Sequence, residues 1–318
     1  MRGTVIDIGG VSILLTSSDA ERADPVAHLL GHVPHSTASP HVEVRCSARA
    51  PAMPRRAPDR TNADFRVWTT EDTLHLELTS GGRARVSATT AWIGTGRDDP
   101  QRAAQCLLLP VLTHLLSFRD RYVLHAGSVV AGGVAYLILG GTGTGKSTLG
   151  VAAVEHGWLL LGDDMVVVRR QDQRCSAAGI PRTVAVPSDV GSRLARGPLT
   201  DDHRGRWEVP AAVLERGWFP VGGLISVGHG TTNRAGLRRV DGRAALSAVL
   251  RSYTSSLDPL HLRRFFPVAA ALSRLPAWEL RHGVEPRSRL SEVGRMLRGI
   301  APEPGLAATV NAAVAEPS

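Results

Sequence analysis

Nine consecutive residues constrain this chain more than any other part of it: Gly140-Gly141-Thr142-Gly143-Thr144-Gly145-Lys146-Ser147-Thr148. They fit the pattern G-x-x-x-x-G-K-S/T, a phosphate-binding loop. Such a loop needs a strand before it and a helix after it. Glycines let backbone N–H groups curl around phosphate oxygens, and the helix N-terminus adds positive potential. The flanks meet that need. Val134-Ala135-Tyr136-Leu137-Ile138-Leu139 reads as a buried strand, and residues 148–156 suffice for about two helical turns. In this setting Lys146 reaches the β- and γ-phosphates and the Ser147 hydroxyl ligates Mg²⁺.

The basic residues single out the same place. Of the 37 basic side chains, 36 are Arg and one is Lys, at position 146. A drift toward arginine explains the missing lysines but not the one retained. A compact, flexible point charge is what an arginine does not supply. The scarcity also excludes a guanine-specific switch protein, whose Asn-Lys-x-Asp base reader requires a second lysine. No Leu-Ser-Gly-Gly-Gln transporter signature occurs either. Kinases and miscellaneous ATPases remain.

Downstream, Trp158-Leu159-Leu160-Leu161-Gly162-Asp163-Asp164-Met165 is an apolar strand ending in two adjacent carboxylates. A strand–loop–helix–strand unit crosses over right-handed. With the second strand parallel and near the first, both strand ends open on the edge where ligands bind in α/β sheets. Asp163 and Asp164 then face the phosphate loop. One carboxylate can hold Mg²⁺ and the other can accept the proton of an attacking hydroxyl, a step contributing about 10²–10⁴-fold. We read Asp163 as the metal ligand and Asp164 as the base, with the two roles exchangeable. A solvated Gly-Asp-Asp turn is the plainer alternative.

Upstream, residues 122–134 hold two strand-like runs, with a Gly132-Gly133 hairpin signal before the loop's own strand. A two-residue turn there pairs Ala131 with Val134, and counting back puts His125 opposite Gly140. A turn off by one puts it opposite Leu139. Register alone aims His125 at the phosphates. The competing reading is a core histidine bonded to backbone.

A histidine strand, a glycine turn, a phosphate loop and a strand-terminal Asp-Asp, in this order, resemble the catalytic domain of HPr kinase/phosphorylase. More specifically, the chain resembles the HPr-kinase-related serine kinases found beside ribosomal (lasso) peptide biosynthesis genes. The likeness is carried by residues 122–170 and extends to Trp278-Glu279-Leu280-Arg281-His282-Gly283 and a following helix. It implies an α/β fold with a P-loop catalytic domain over 101–318 and a smaller β-rich domain over 1–100. It also implies an ATP- and Mg²⁺-dependent kinase acting on a serine hydroxyl of a peptide or small protein. Carried over, residues 140–148 bind phosphate, Ser147 and Asp163 hold the metal, Asp164 is the base, and His125 lies near the transferred group. The chain departs from the bifunctional family at residues 175–182, which contain no glutamate where that family is acidic, and at Lys-Ser-Thr in place of Lys-Ser-Glu. The reverse reaction is therefore not implied. A small-metabolite kinase, a carboxykinase-like enzyme and a non-enzymatic ATP-binding sensor stay open as alternatives.

The rest of the chain is less informative. Residues 1–100 read as strand-rich, with strands expected at 4–8, 41–46, 65–69, 73–79 and 83–92. Residues 48–60, rich in Pro, Arg and Ala, read as a mobile loop, and 101–118 as a helix leading into the catalytic domain. His28, His32, His35 and His41 lack metal-ligand context and read as a solvated loop. Cys46, Cys106 and Cys175 are far apart and read as reduced thiols. Residues 160–318 carry 22 Arg against 15 acidic residues, whereas residues 1–159 carry 15 basic against 14 acidic. The excess includes Arg182, Arg193, Arg196, Arg204 and Arg206, in a stretch at 181–210 that reads as a lid or docking loop for an acidic peptide. No nucleic-acid motif accompanies this charge, so nucleic acid is not the expected partner. A homo-oligomer is compatible with the sequence. No apolar run approaches the roughly 20 residues of a membrane span, and no signal-peptide pattern opens the chain. A cytoplasmic protein without a membrane partner is expected.

Overall fold

The computed structural model describes residues 2–17, 36–70, 73–96, 100–180, 184–186, 190, 206–207, 209–229, 235–253, 259–282 and 290–300. The chain divides into two compact units. One comprises Met1–Val123 with Thr254–Phe265, and the other Leu124–Tyr253 with Phe266–Ser318.

The first unit is built on an eight-stranded sheet. Its strands are β1 (Arg2–Ile8), β2 (Val11–Ser17), β3 (Val42–Ser47), β4 (Arg60–Thr61), β5 (Phe65–Thr69), β6 (Leu74–Leu78), β7 (Arg83–Val86) and β8 (Thr90–Gly94). Their spatial order is β1-β2-β3-β8-β7-β6-β5-β4. The pairs β2–β3 and β3–β8 are parallel, and the other neighbours antiparallel. Gly9 and Gly10, with φ of 59° and 77°, form the two-residue turn between β1 and β2. One face of the sheet is apolar. In β6, Leu74, Leu76 and Leu78 are buried while His75 and Glu77 lie on the other face. Slipping this strand by one residue would expose three leucines worth about 2 kcal/mol each.

Helix α1 (Pro100–Ser117) covers the apolar face. Its buried residues Leu107, Leu108, Val111, Leu112, Leu115 and Leu116 recur at helical spacing. This corrects the expected division at residue 100: the helix packs on β6, β7 and β8, so it belongs to the first unit. Three further expectations change. The strand expected at 83–92 is a hairpin, β7 and β8. Strand β2 lies outside the expected strands. Residues 48–60 are held in place and not loose. Arg56 pairs with Asp59 and donates to the Thr69 carbonyl at 2.8 Å, and Trp68 Nε1 donates to the Arg56 carbonyl at 2.8 Å. Residues 49 and 50 press so closely on β8 that a Cβ at Gly94 would lie 2.3 Å from Ala50 Cα.

The chain passes through β9 (Tyr122–Leu124) into the second unit. Here follow β10 (Ala126–Ala131), β11 (Val134–Leu139), α2 (Lys146–Glu155), β12 (Leu159–Gly162), β13 (Val166–Gln171), β14 (Arg174–Gly179), and the short strands β15 (Val184–Ala185) and β16 (Arg206–Trp207). They are followed by β17 (Phe219–His229), β18 (Gly236–Arg239), α3 (Gly242–Ser252), α4 (Pro259–Leu272, begun in the first unit), β19 (Ala277–His282) and α5 (Leu290–Arg298). The main sheet runs β12-β10-β11-β17-β14-β13, with β19 also on β17 and β18 on β19. Strands β10 and β12 are antiparallel, as are β10 and β11, so β12 runs parallel to β11 with one strand between them. The described architecture is therefore mixed sheets with a few helices.

Helix α2 packs on β10, β11 and β12, burying Leu149, Val151, Ala152 and Ala153 among Val129, Ile138 and Leu160. Helix α5 lies against α2 at a glycine. A Cβ at Gly294 would fall 2.0 Å from His156 Nδ1, so a larger residue there would force the His156 ring to move. No helix among the described residues is long and apolar enough to cross a membrane.

Candidate functional site

The loop between β11 and α2 is built on glycines that other residues cannot replace. Gly143 and Gly145 have φ of 80° and 98°, and Gly145 is the N-cap of α2 with no side chain to satisfy the helix end. The first-turn N–H groups of that helix are thus left for an external acceptor. A Cβ at Gly140 would stand 2.5 Å from Thr144 Oγ1 and 2.9 Å from the Val227 carbonyl. Thr144 Oγ1 closes the turn by donating to the Gly141 carbonyl at 2.9 Å. Gly141, Thr142 and Gly143 are exposed, while Gly140 and Thr144 are half-buried. Thr148 lies inside the first turn of α2 and is half-buried.

Lys146, the one lysine, is buried. Its Nζ donates to the carbonyls of Gly140 and Gly141 at 3.0 and 3.1 Å and stands 3.0 Å from His125 Nε2. Burial pushes its pKa down, and Asp164 and Asp163 pull it back up. His125 is there because the hairpin has the expected register. Ala131 pairs with Val134 and Ala126 with Leu139, which leaves His125 opposite Gly140. Its N–H donates to the Ser252 carbonyl at 2.7 Å. Burial lowers the imidazole pKa, and the Lys146 charge lowers it further, against Asp164. Because an ammonium only donates, His125 Nε2 must accept from Lys146, and the proton sits on Nδ1. That nitrogen faces Asp164 Oδ1 at 4.0 Å.

The two aspartates stand at the end of β12 in different environments. Asp163 is buried, with Oδ2 accepting from Ser147 Oγ at 3.0 Å and from the Ala185 N–H at 3.4 Å. Burial, then the neighbouring Asp164 charge, pushes its pKa up to about 6, opposed by the two hydrogen bonds and Lys146. Asp164 has φ of 65° and sits at the apex of a turn closed by Met165 N–H on the Asp163 carbonyl at 2.8 Å. Aspartate is one of the few residues that tolerates this left-handed geometry. The turn aims the second carboxyl toward His125, and its side chain is 39% exposed. One aspartate is thus inward and bonded to the loop's serine, the other outward and reachable.

The structure brings together the loop, Lys146, Ser147, His125 and both aspartates. Two contributors have no signal in the sequence. The Ala185 N–H comes from β15, and Gly179 lets β14 pass β12: a Cβ there would fall 1.5 Å from the Leu161 carbonyl oxygen. Elsewhere, His41 Nδ1 accepts from the Ser12 N–H at 2.9 Å, a structural bond. His28, His32 and His35 lie outside the described residues. So do Arg182, Arg193, Arg196 and Arg204, and with them most of the expected lid at 181–210; the backbone of Arg206 is described, in β16. Cys46 and Cys175 are buried, with thiol pKa values pushed up to about 12 and about 11 by burial, and Cys106 is exposed and unbridged.

No protein-family model matches this chain, and no curated protein matches it. Among solved structures, the HPr(Ser) kinase/phosphatase from Coxiella burnetii matches over 56% of this chain and 94% of that one, at 14% identity and a TM-score of 0.30. A likeness of that size carries no weight for the chemistry.

Proposed function

We propose that the chain is an ATP-dependent kinase that transfers a phosphoryl group to a hydroxyl, with a serine of a peptide or small protein as acceptor. The observation that carries the reading is the bond from Ser147 Oγ to Asp163 Oδ2 at 3.0 Å, which joins the phosphate loop to the aspartate pair. A glycine turn that matched the motif by chance has no reason to meet a strand-terminal carboxylate.

Triphosphate oxygens would take the free N–H groups at the start of α2 and exchange with the Gly140 and Gly141 carbonyls for the Lys146 ammonium. The hard oxygens of Ser147 and Asp163 suit Mg²⁺. Among the described residues no group of three or more His, Cys, Asp or Glu is poised for a metal. A site of one carboxylate, one hydroxyl and substrate phosphates is what Mg²⁺ commonly uses. Bound there, Mg²⁺ would neutralise charge on the β- and γ-phosphate oxygens.

Asp164, the exposed carboxylate, accepts the proton of the attacking hydroxyl. The new bond forms between that oxygen and the γ-phosphorus, and the bond to the β–γ bridging oxygen breaks, releasing ADP. His125 keeps Lys146 oriented and links it electrostatically to Asp164. The resemblance of residues 122–170 to serine kinases supports serine as acceptor.

The test is transfer from γ-labelled ATP to a panel of serine peptides, free amino acids and sugars, with wild type and Lys146→Ala. The expected result is phosphoserine in a peptide, lost in the variant. Transfer retained in Lys146→Ala would remove the loop from the reaction. ATP binding without transfer to any acceptor would favour a sensor.

A further inference from the structure

The open face of the first unit's sheet carries an ordered row of side chains that the transfer chemistry does not use. Strand register places Arg45 of β3 beside Trp92 of β8, and Trp92 beside Arg85 of β7. Thr16 of β2 continues the row on one side and His75 of β6 on the other. The alternate residues Val44, Ala91, Ala84 and Leu76 are buried on the opposite face, so alternation alone turns this row outward. It borders a hollow of about 500 Å³ lined by Thr16, Arg45, Ser47, Arg85, Thr90 and Trp92. That volume lies within the range of ligand sites, roughly 300–1,000 Å³.

The hollow is organised in advance. Trp92 Nε1 donates to Ser47 Oγ at 2.7 Å, which pins the indole and leaves its ring as a fixed apolar surface. Arg45, its side chain 63% exposed, is held by Glu43 through Nε at 2.9 Å and Nη2 at 3.2 Å. Arg85 is exposed and, among the described residues, has no ion pair or hydrogen bond. Glu77, also on this face, is already shared by Arg66 and Arg83. Among the described residues, the Arg85 guanidinium stands beside an immobilised indole without an anion.

We propose that this hollow binds an acidic peptide segment, with one carboxylate forked on Arg85, a second at the Nη1 end that Glu43 leaves to Arg45, and an apolar side chain over Trp92. Carboxylates match the fork geometry of guanidinium in a way that fixes orientation. Arg45 and Arg85 are two strands apart, about 10 Å by sheet spacing. Residues three apart in an extended polyproline-type chain repeat at about 9 Å on one side. Nucleic acid suits the face less well. Glu43 and Glu77 interrupt its positive charge and oppose a continuous phosphate backbone, whereas discrete carboxylates address each arginine alone.

The test uses a rhodamine-labelled decapeptide with two glutamates three positions apart around a leucine. The comparison ligands are the same peptide with glutamines, and labelled decathymidylate. Anisotropy titrations are run without nucleotide, so the outcome is independent of the phosphate loop. The glutamate peptide is expected to bind at least tenfold tighter than the glutamine peptide, and more weakly at high salt. Arg85→Glu is expected to cost tenfold or more, and the milder Arg85→Gln to cost less, with melting temperatures matching wild type. No binding by wild type, equal binding of the glutamine peptide, undiminished binding by Arg85→Glu, or tighter binding of decathymidylate would each overturn the proposal.

Discussion

Lys146 Nζ stands 3.0 Å from His125 Nε2, and the opposite ring nitrogen faces Asp164 Oδ1 at 4.0 Å. The imidazole is thus a neutral spacer between an ammonium and a carboxylate. Its pKa lies below the ordinary value, so the ring carries no charge at pH 7. Long-range ¹⁵N correlations, assigned with His125→Gln, are expected to show the Nδ1–H tautomer at pH 7. A doubly protonated ring there would break the assignment of Lys146 as donor.

Asp164 combines a base with a left-handed backbone, and two substitutions separate these. Asp164→Asn keeps a residue that tolerates φ of 65° and removes the proton acceptor. Transfer is expected to fall at least about a hundredfold with ATP affinity unchanged, measured by single-turnover kinetics and calorimetry. Asp164→Ala adds a backbone penalty of about 1–2 kcal/mol in urea unfolding. A wild-type rate in the asparagine variant would move the base elsewhere.

Gly179 separates sterics from glycine content. Its Cβ would overlap the Leu161 carbonyl at 1.5 Å, at the strand that presents Asp163. Gly179→Ala is expected to cost about 3 kcal/mol. Gly228→Ala, with nothing within 4 Å, is expected to stay within about 0.5 kcal/mol of wild type. Urea midpoints compare the two, and equal effects would refute the close passage.

His114 and His261 are buried in the first unit with ring centroids 4.0 Å apart. Burial first, then the charges of His261 and Arg264, lowers the His114 pKa to about 3. The folded state therefore binds fewer protons than the unfolded chain between about pH 6.5 and pH 3. Stability is full above the unfolded value and falls with acid at about 1.4 kcal/mol per pH unit. Urea unfolding at pH 6.5 and 5 is expected to differ by about 2 kcal/mol through this group. His114→Leu should flatten that slope; an unchanged slope would place the protons elsewhere.

What the sequence made legible was local. The Gly132-Gly133 turn set a register that placed His125 within reach of Lys146, and the loop's flanks became β11 and α2 as their patterns implied. The same reading applied to Gly9-Gly10 would have revealed β2, since those glycines have matching left-handed angles. Long-range contacts were invisible. Residues 48–60 look mobile by composition, yet Asp59 Oδ2 accepts from Thr69 N–H at 2.6 Å, and Trp68 reaches back to Arg56. The Ala185 N–H on Asp163 comes from 22 residues away, through a backbone group that any residue type provides. The division of the chain was misplaced because an apolar helix does not declare which sheet it covers.

The first unit borrows residues 254–265 from far along the chain. His261 from that segment contacts Ser117 and stacks on His114, and Phe265 meets the Tyr122 ring at 5.4 Å. A fragment ending at residue 123 would therefore be missing part of its own interior. Severing the gene there would yield an incomplete body with an open wound where those rings belong.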